Sequence, residues 1–138
     1  MNLEGKRIFI VEDNATNRAI IQTILERHGV TIGFDRWGKD TCKRLHEFAP
    51  VDLVILDLMF PNNITGYDIF DSIRQLSQFR HVPVVAVSAA DPSEAIPTAQ
   101  ARGFAGFISK PIDFVRFCHQ IAEILDGNEL WYTHQQFS

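Results

Sequence analysis

Five residues that could do chemistry stand directly after apolar runs. Glu12 and Asp13 follow Ile8–Val11, Asp57 follows Val51–Leu56, Ser88 follows Val82–Val87, and Lys110 comes after Phe104–Ile108 and Ser109. Singly, each has an ordinary role. An acid after a strand caps the next helix, as Asp13 or Asn14 would; Ser88 satisfies a loop amide, and Lys110 lies in solvent. Together they say more. Three carboxylates brought into one crevice repel one another, and a fold tolerates this where a cation normally sits between them. Hard oxygen donors without His or Cys suit Mg²⁺, which is held by one or two carboxylates and keeps several waters. A metal beside a carboxylate, a hydroxyl and an ammonium meets the needs of phosphoryl transfer, where charge on three equatorial oxygens must be positioned and neutralised. Asp57 would be the nucleophile and become an acyl phosphate, with Ser88 and Lys110 on the phosphoryl oxygens.

The elements that must position these groups alternate along the chain. The apolar runs above, with the weaker Thr31–Phe34, read as five strands buried on both faces. Helical spacing fills the gaps. Asn17, Ile20, Ile21, Ile24, Leu25 and His28 fall three and four apart before Gly29, and Ile69, Phe70, Ile73 and Leu76 repeat the pattern. Thr65 with Asp68 reads as a capping pair for that helix. A last helix, about Ile112 to Leu125, places Phe114, Cys118, Ile121 and Leu125 on one stripe, with Phe117 and Ile124 widening it. Five strand–helix units imply a parallel α/β sheet with helices on both faces, and in such sheets ligands bind beyond the carboxyl ends of the strands.

Composition narrows the function. The 138 residues suffice for one domain, and 46% hydrophobic with 22% charged residues is globular balance. A net charge of −4 argues against direct nucleic-acid binding, and no run approaches a membrane span. Cys42 and Cys118 have no metal-like spacing and suit a reducing cytoplasm.

Residues 6 to 126 resemble a response-regulator receiver domain of the CheY-like superfamily, through Val11-Glu12-Asp13-Asn14, Leu56-Asp57-Leu58-Met59-Phe60-Pro61, Ser88-Ala89 and Lys110-Pro111. The style is that of hybrid-kinase receivers and stand-alone regulators. The resemblance implies a three-layer flavodoxin-like (βα)5 fold with a five-stranded parallel sheet of order 2-1-3-4-5. It implies that Asp57 is the phosphoacceptor, Asp13 a direct Mg²⁺ ligand, Glu12 an acid acting through metal-bound water, and Met59 a ligand by its backbone carbonyl. Ser88 and Lys110 would contact the phosphoryl oxygens, Phe107 would be the aromatic that turns inward as Ser88 moves, and the bond before Pro111 would be cis. The implied donor is a histidine kinase or histidine phosphotransfer protein. The output is a protein–protein contact with a downstream target, with homodimerisation possible through the fourth and fifth helices. The chain would catalyse its own phosphorylation and slow dephosphorylation without being a turnover enzyme.

Three departures bear on this. The Asp57–Gly66 loop is one residue long for the family, with Thr65 where an acid is common. Pro97 falls inside the expected fourth helix, so either the helix starts near Ile96 or its first turn is loose, despite the start signal Asp91-Pro92-Ser93-Glu94. Met59 and Ala90 flank the site without a group to take a proton, which predicts slow hydrolysis. Residues 127–138 form a tail whose Leu130, Trp131, Tyr132 and Phe137 suggest a segment packed back on its own domain or a docking peptide. With Met1, this tail favours a complete short chain. Other readings fare worse. A haloacid-dehalogenase-like phosphatase needs an acid at Met59, and an FMN carrier needs a phosphate loop where Glu12 and Asp13 stand. A degenerate receiver acting as an unphosphorylated binding module would not need the full set.

Overall fold

The apolar runs do form parallel strands, and a sixth joins them. The computed structural model describes residues 2–36, 38–61 and 63–133. Its strands are β1 (Arg7–Val11), β2 (Thr31–Asp35), β3 (Leu53–Leu56), β4 (Val84–Ser88), β5 (Gly106–Ser109) and β6 (Leu130–Tyr132). They lie in the order β2-β1-β3-β4-β5-β6, every neighbouring pair parallel. The flavodoxin-like architecture stands, but the expectation of five strands is corrected to six. Three residues with two aromatics suffice to extend the sheet, because their alternating side chains reach both cores. Trp131 packs with the cluster of Phe107 and Phe104, and Leu130 and Tyr132 pack with that of Ile108 and Phe117. Phe137 lies outside the described residues, as does Met1.

Helices α1 (Ala15–Glu26) and α5 (Phe117–Leu125) cover one face of the sheet. The other carries α2 (Thr41–Phe48), α3 (Gly66–Arg74) and α4 (Pro92–Arg102). β3 and β4 are buried along their whole length, as the unbroken apolar runs require. Cys42 and Cys118 therefore stand on opposite faces, both free. Among the described residues no helix is long and apolar enough to cross a membrane.

Local signals set the helix starts. Asn14 caps α1, its side chain accepting from Asn17 N, and Thr65 and Asp68 form the reciprocal capping box of α3. The Asp91 side chain accepts from Ser93 N, so α4 begins at Pro92 and runs through Pro97, whose ring is exposed. The first turn is capped rather than loose, and the helix does not wait for Ile96. The last helix differs more. Asp113 accepts from the amides of Val115 and Arg116 and holds a turn, so α5 starts only at Phe117. That phase turns Phe117, Ile121 and Ile124 into the core and leaves Phe114 outside the helix, 64% exposed.

Candidate functional site

Parallel strands end together, so the residues following β1, β3, β4 and β5 meet at one edge of the sheet. Ligand atoms of Glu12, Asp13 and Asp57 lie within 4.8 Å of one another. Lys110, following β5, closes the group: its Nζ donates to Glu12 Oε1 at 2.5 Å and to Asp57 Oδ2 at 3.1 Å. The other Asp57 oxygen accepts the amides of Leu58 (2.7 Å) and Met59 (3.3 Å). Backbone bonds fix the frame, from Asp57 N to Val11 O and from Lys110 N to Ser88 O.

The electrostatic load falls on Glu12, which is 2% exposed. Burial, above all, pushes its carboxyl up to about 7; the Lys110 hydrogen bond pulls it back, while Asp57 adds to the rise. Lys110 is drawn down by burial, but its hydrogen bond to Glu12 and the charge of Asp57 outweigh this and raise it. Among the described residues Glu12 Oε2 has no hydrogen-bond partner. A buried, unpartnered carboxylate oxygen on a member of an all-oxygen acidic cluster fits a hard divalent cation.

The structure brings together Glu12, Asp13, Asp57 and Lys110, with the Met59 amide beside them. The ordinary role of Lys110 fails, since its side chain is only 17% exposed and doubly bonded. Ser88 does serve a loop amide, its Oγ accepting from Ala90 N at 3.2 Å. Phe107 is fully buried one strand over, and the Lys110–Pro111 bond is cis, as is Ala49–Pro50, which nothing had suggested. Asp35 is occupied elsewhere, accepting from Thr41 Oγ1 at 2.7 Å.

Gly66 is the supporting residue that sequence reasoning passed over. A Cβ there would lie 2.2 Å from the Asp57 carbonyl oxygen and 2.7 Å from Leu58 Cα. Its amide donates to Leu58 O. The start of α3 thus lies directly on the backbone that carries Asp57. The available signal was a glycine at the first helical position, where propensity disfavours it.

The chain is similar to known proteins in sequence and fold. Residues 8–122 match the response regulator receiver domain family. The polar-differentiation response regulator DivK of Brucella ovis is 29% identical over 120 residues, covering 87% of this chain and 96% of that protein. In fold, the chain is similar to the receiver domain of a signal transduction histidine kinase from Syntrophus aciditrophicus (26% identity, TM-score 0.75, 89% and 92% covered). It is similar too to the chemotaxis response regulator CheY4 of Vibrio cholerae (19% identity, TM-score 0.77, 86% and 98% covered). With its family model spanning the strands that carry Glu12, Asp57 and Ser88, this chain belongs to the response regulator receiver domain family.

Proposed function

We propose that this receiver accepts a phosphoryl group on Asp57 in a Mg²⁺-dependent reaction and switches a protein-binding surface. The observation that carries the reading is the convergence of three carboxylates, two of them bonded to the Lys110 ammonium, with one buried Glu12 oxygen unpartnered among the described residues. Glu12, Asp13 and Asp57, with the Met59 carbonyl, would hold Mg²⁺. When bound, the ion supplies charge neutralisation at a phosphoryl group.

The chain's own residues do the rest. Leu58 and Met59 amides hold one Asp57 oxygen, which orients the carboxylate and leaves its other oxygen to Lys110. As nucleophile, that oxygen bonds to phosphorus while the donor's leaving group departs with the P–O or P–N electron pair. Lys110 then follows the new negative charge, and Ser88 Oγ turns from the Ala90 amide to donate to a phosphoryl oxygen. The donor is a histidine kinase or histidine phosphotransfer protein, and the readout is a downstream protein. The chain catalyses its own modification and is not a turnover enzyme. Neither Met59 nor Ala90 can take a proton from water, which favours a long-lived phosphoryl group. The two free thiols suit the cytoplasm.

Titration with beryllofluoride and Mg²⁺, followed by backbone NMR, tests the reading. Shifts around Asp57 that need both Mg²⁺ and an intact Asp57 are expected. An unchanged spectrum, or an equal response from Asp57→Asn, contradicts it.

A further inference from the structure

β6 closes the β5 edge of the sheet, and its placement ties it to the Asp57 site. Phe107 lies between Ala86 of β4 and Trp131 of β6 in register, while Ser88 pairs with Ser109 two residues further along. Side chains alternate across a strand, so Ser88, Phe107 and Trp131 share one face in a diagonal from the site to the edge. Phe107 and Trp131 belong to the same core cluster, with Phe107 fully buried.

Two further features bear on how the strand is fitted. Gly106 admits it: a Cβ there would lie 2.4 Å from Leu130 O. Arg116, the residue that caps α5, reaches the Tyr132 ring at 6.0 Å, and Gln120 is one turn further on the same side. Gln120 is 7% exposed and its Oε1 has no hydrogen-bond partner among the described residues. Such a group favours any state that returns it to water. The strand itself is three residues long, each only half-buried.

We propose that β6 is a removable cap on β5, which phosphorylation of Asp57 loosens and whose loss in turn strengthens phosphoryl binding at Asp57. This rests on the phosphoacceptor reading. Ser88 ends β4 and Lys110 directly follows β5, the strand of Phe107; Ser88 must leave the Ala90 amide to reach a phosphoryl group on Asp57, and Lys110 must shift with the new charge. Interiors packed without slack transmit such a shift. When Phe107 follows Ser88 toward the site, Trp131 loses the ring it packs against, and β6 loses its anchor on that face. Coupling of this kind is reciprocal.

Hydrogen exchange on the full chain tests it, with beryllofluoride and Mg²⁺ as the probe. The Leu130 amide, which donates to Ala105 O, should lose protection when the probe saturates Asp57. Gly106→Ala, which displaces β6 by its backbone, and Trp131→Ala, which removes its anchor, should each bind the probe more tightly, on the order of five-fold. Unchanged or increased protection at Leu130, or affinities in both variants equal to or below wild type, overturns the cap while leaving Asp57 as phosphoacceptor. A wild-type chain that shows no Mg²⁺- and Asp57-dependent binding overturns the phosphoacceptor reading itself, and the cap with it.

Discussion

The two ends of the influence of β5 are built on different physics. At its carboxyl end, Lys110 is held by two acids, and the site is a network of charge with one oxygen left over. Along its outer edge, β6 is held by shape: Trp131 beside Phe107, Leu130 and Tyr132 on the opposite face, and a glycine where the backbones meet. Removing one partner from a buried charge network is costly, because the remaining charges stay buried. Removing a half-buried strand costs little more than its apolar area. The first region is therefore rigid until its charge changes, and the second can respond.

Lys110→Ala should strain this comparison most. In metal-free buffer it leaves Glu12 and Asp57 facing each other and should cost about 3–5 kcal/mol of stability in denaturant unfolding, and added Mg²⁺ should recover part of the loss. A loss that Mg²⁺ does not relieve would argue against a cation site between the acids. Gly66→Ala comes next: its Cβ must push the Asp57 backbone or the start of α3 aside, at about 1–3 kcal/mol, with slower phosphorylation as a second readout. Trp131→Ala should cost about 1–2 kcal/mol, the share of a half-buried aromatic, with no Mg²⁺ dependence. If Trp131→Ala proves more damaging than Lys110→Ala, the contrast between the regions is wrong.

The smallest effect is one of pH. Glu12 holds its proton more tightly in the folded chain, at about 7 against an ordinary 4.5. The stability this contributes is fully present below about 4.5 and is lost as pH rises through about 7. Thermal unfolding in metal-free buffer should show that slope between those limits, and Glu12→Gln should flatten it.

The same contrast explains what the sequence made legible. Buried parallel strands are near-continuous apolar runs, so β1, β3, β4 and β5 could be located, and the groups after them had to converge. Thr65–Asp68 and Asp91–Pro92 were readable because caps are local hydrogen bonds. β6 was not, since Leu130–Tyr132 is too short for a period and becomes a strand only by meeting the β5 edge. The start of α5 failed for a similar reason: Phe114 fits the helical stripe by spacing, but the Asp113 turn shifts the helix start and turns Phe117 inward instead. Pro97 misled in the other direction, since a well-capped first turn and an outward-facing ring let α4 continue. Gly66 escaped because its constraint comes from Asp57 and Leu58, across a loop from its own helix.

The most direct test is chemical. Incubate the chain with acetyl phosphate and follow its intact mass, with and without Mg²⁺, alongside Asp57→Asn. The account predicts a gain of one phosphoryl group that requires both Mg²⁺ and Asp57 and maps to the Leu56–Met59 peptide. No gain, or the same gain on Asp57→Asn, would contradict it.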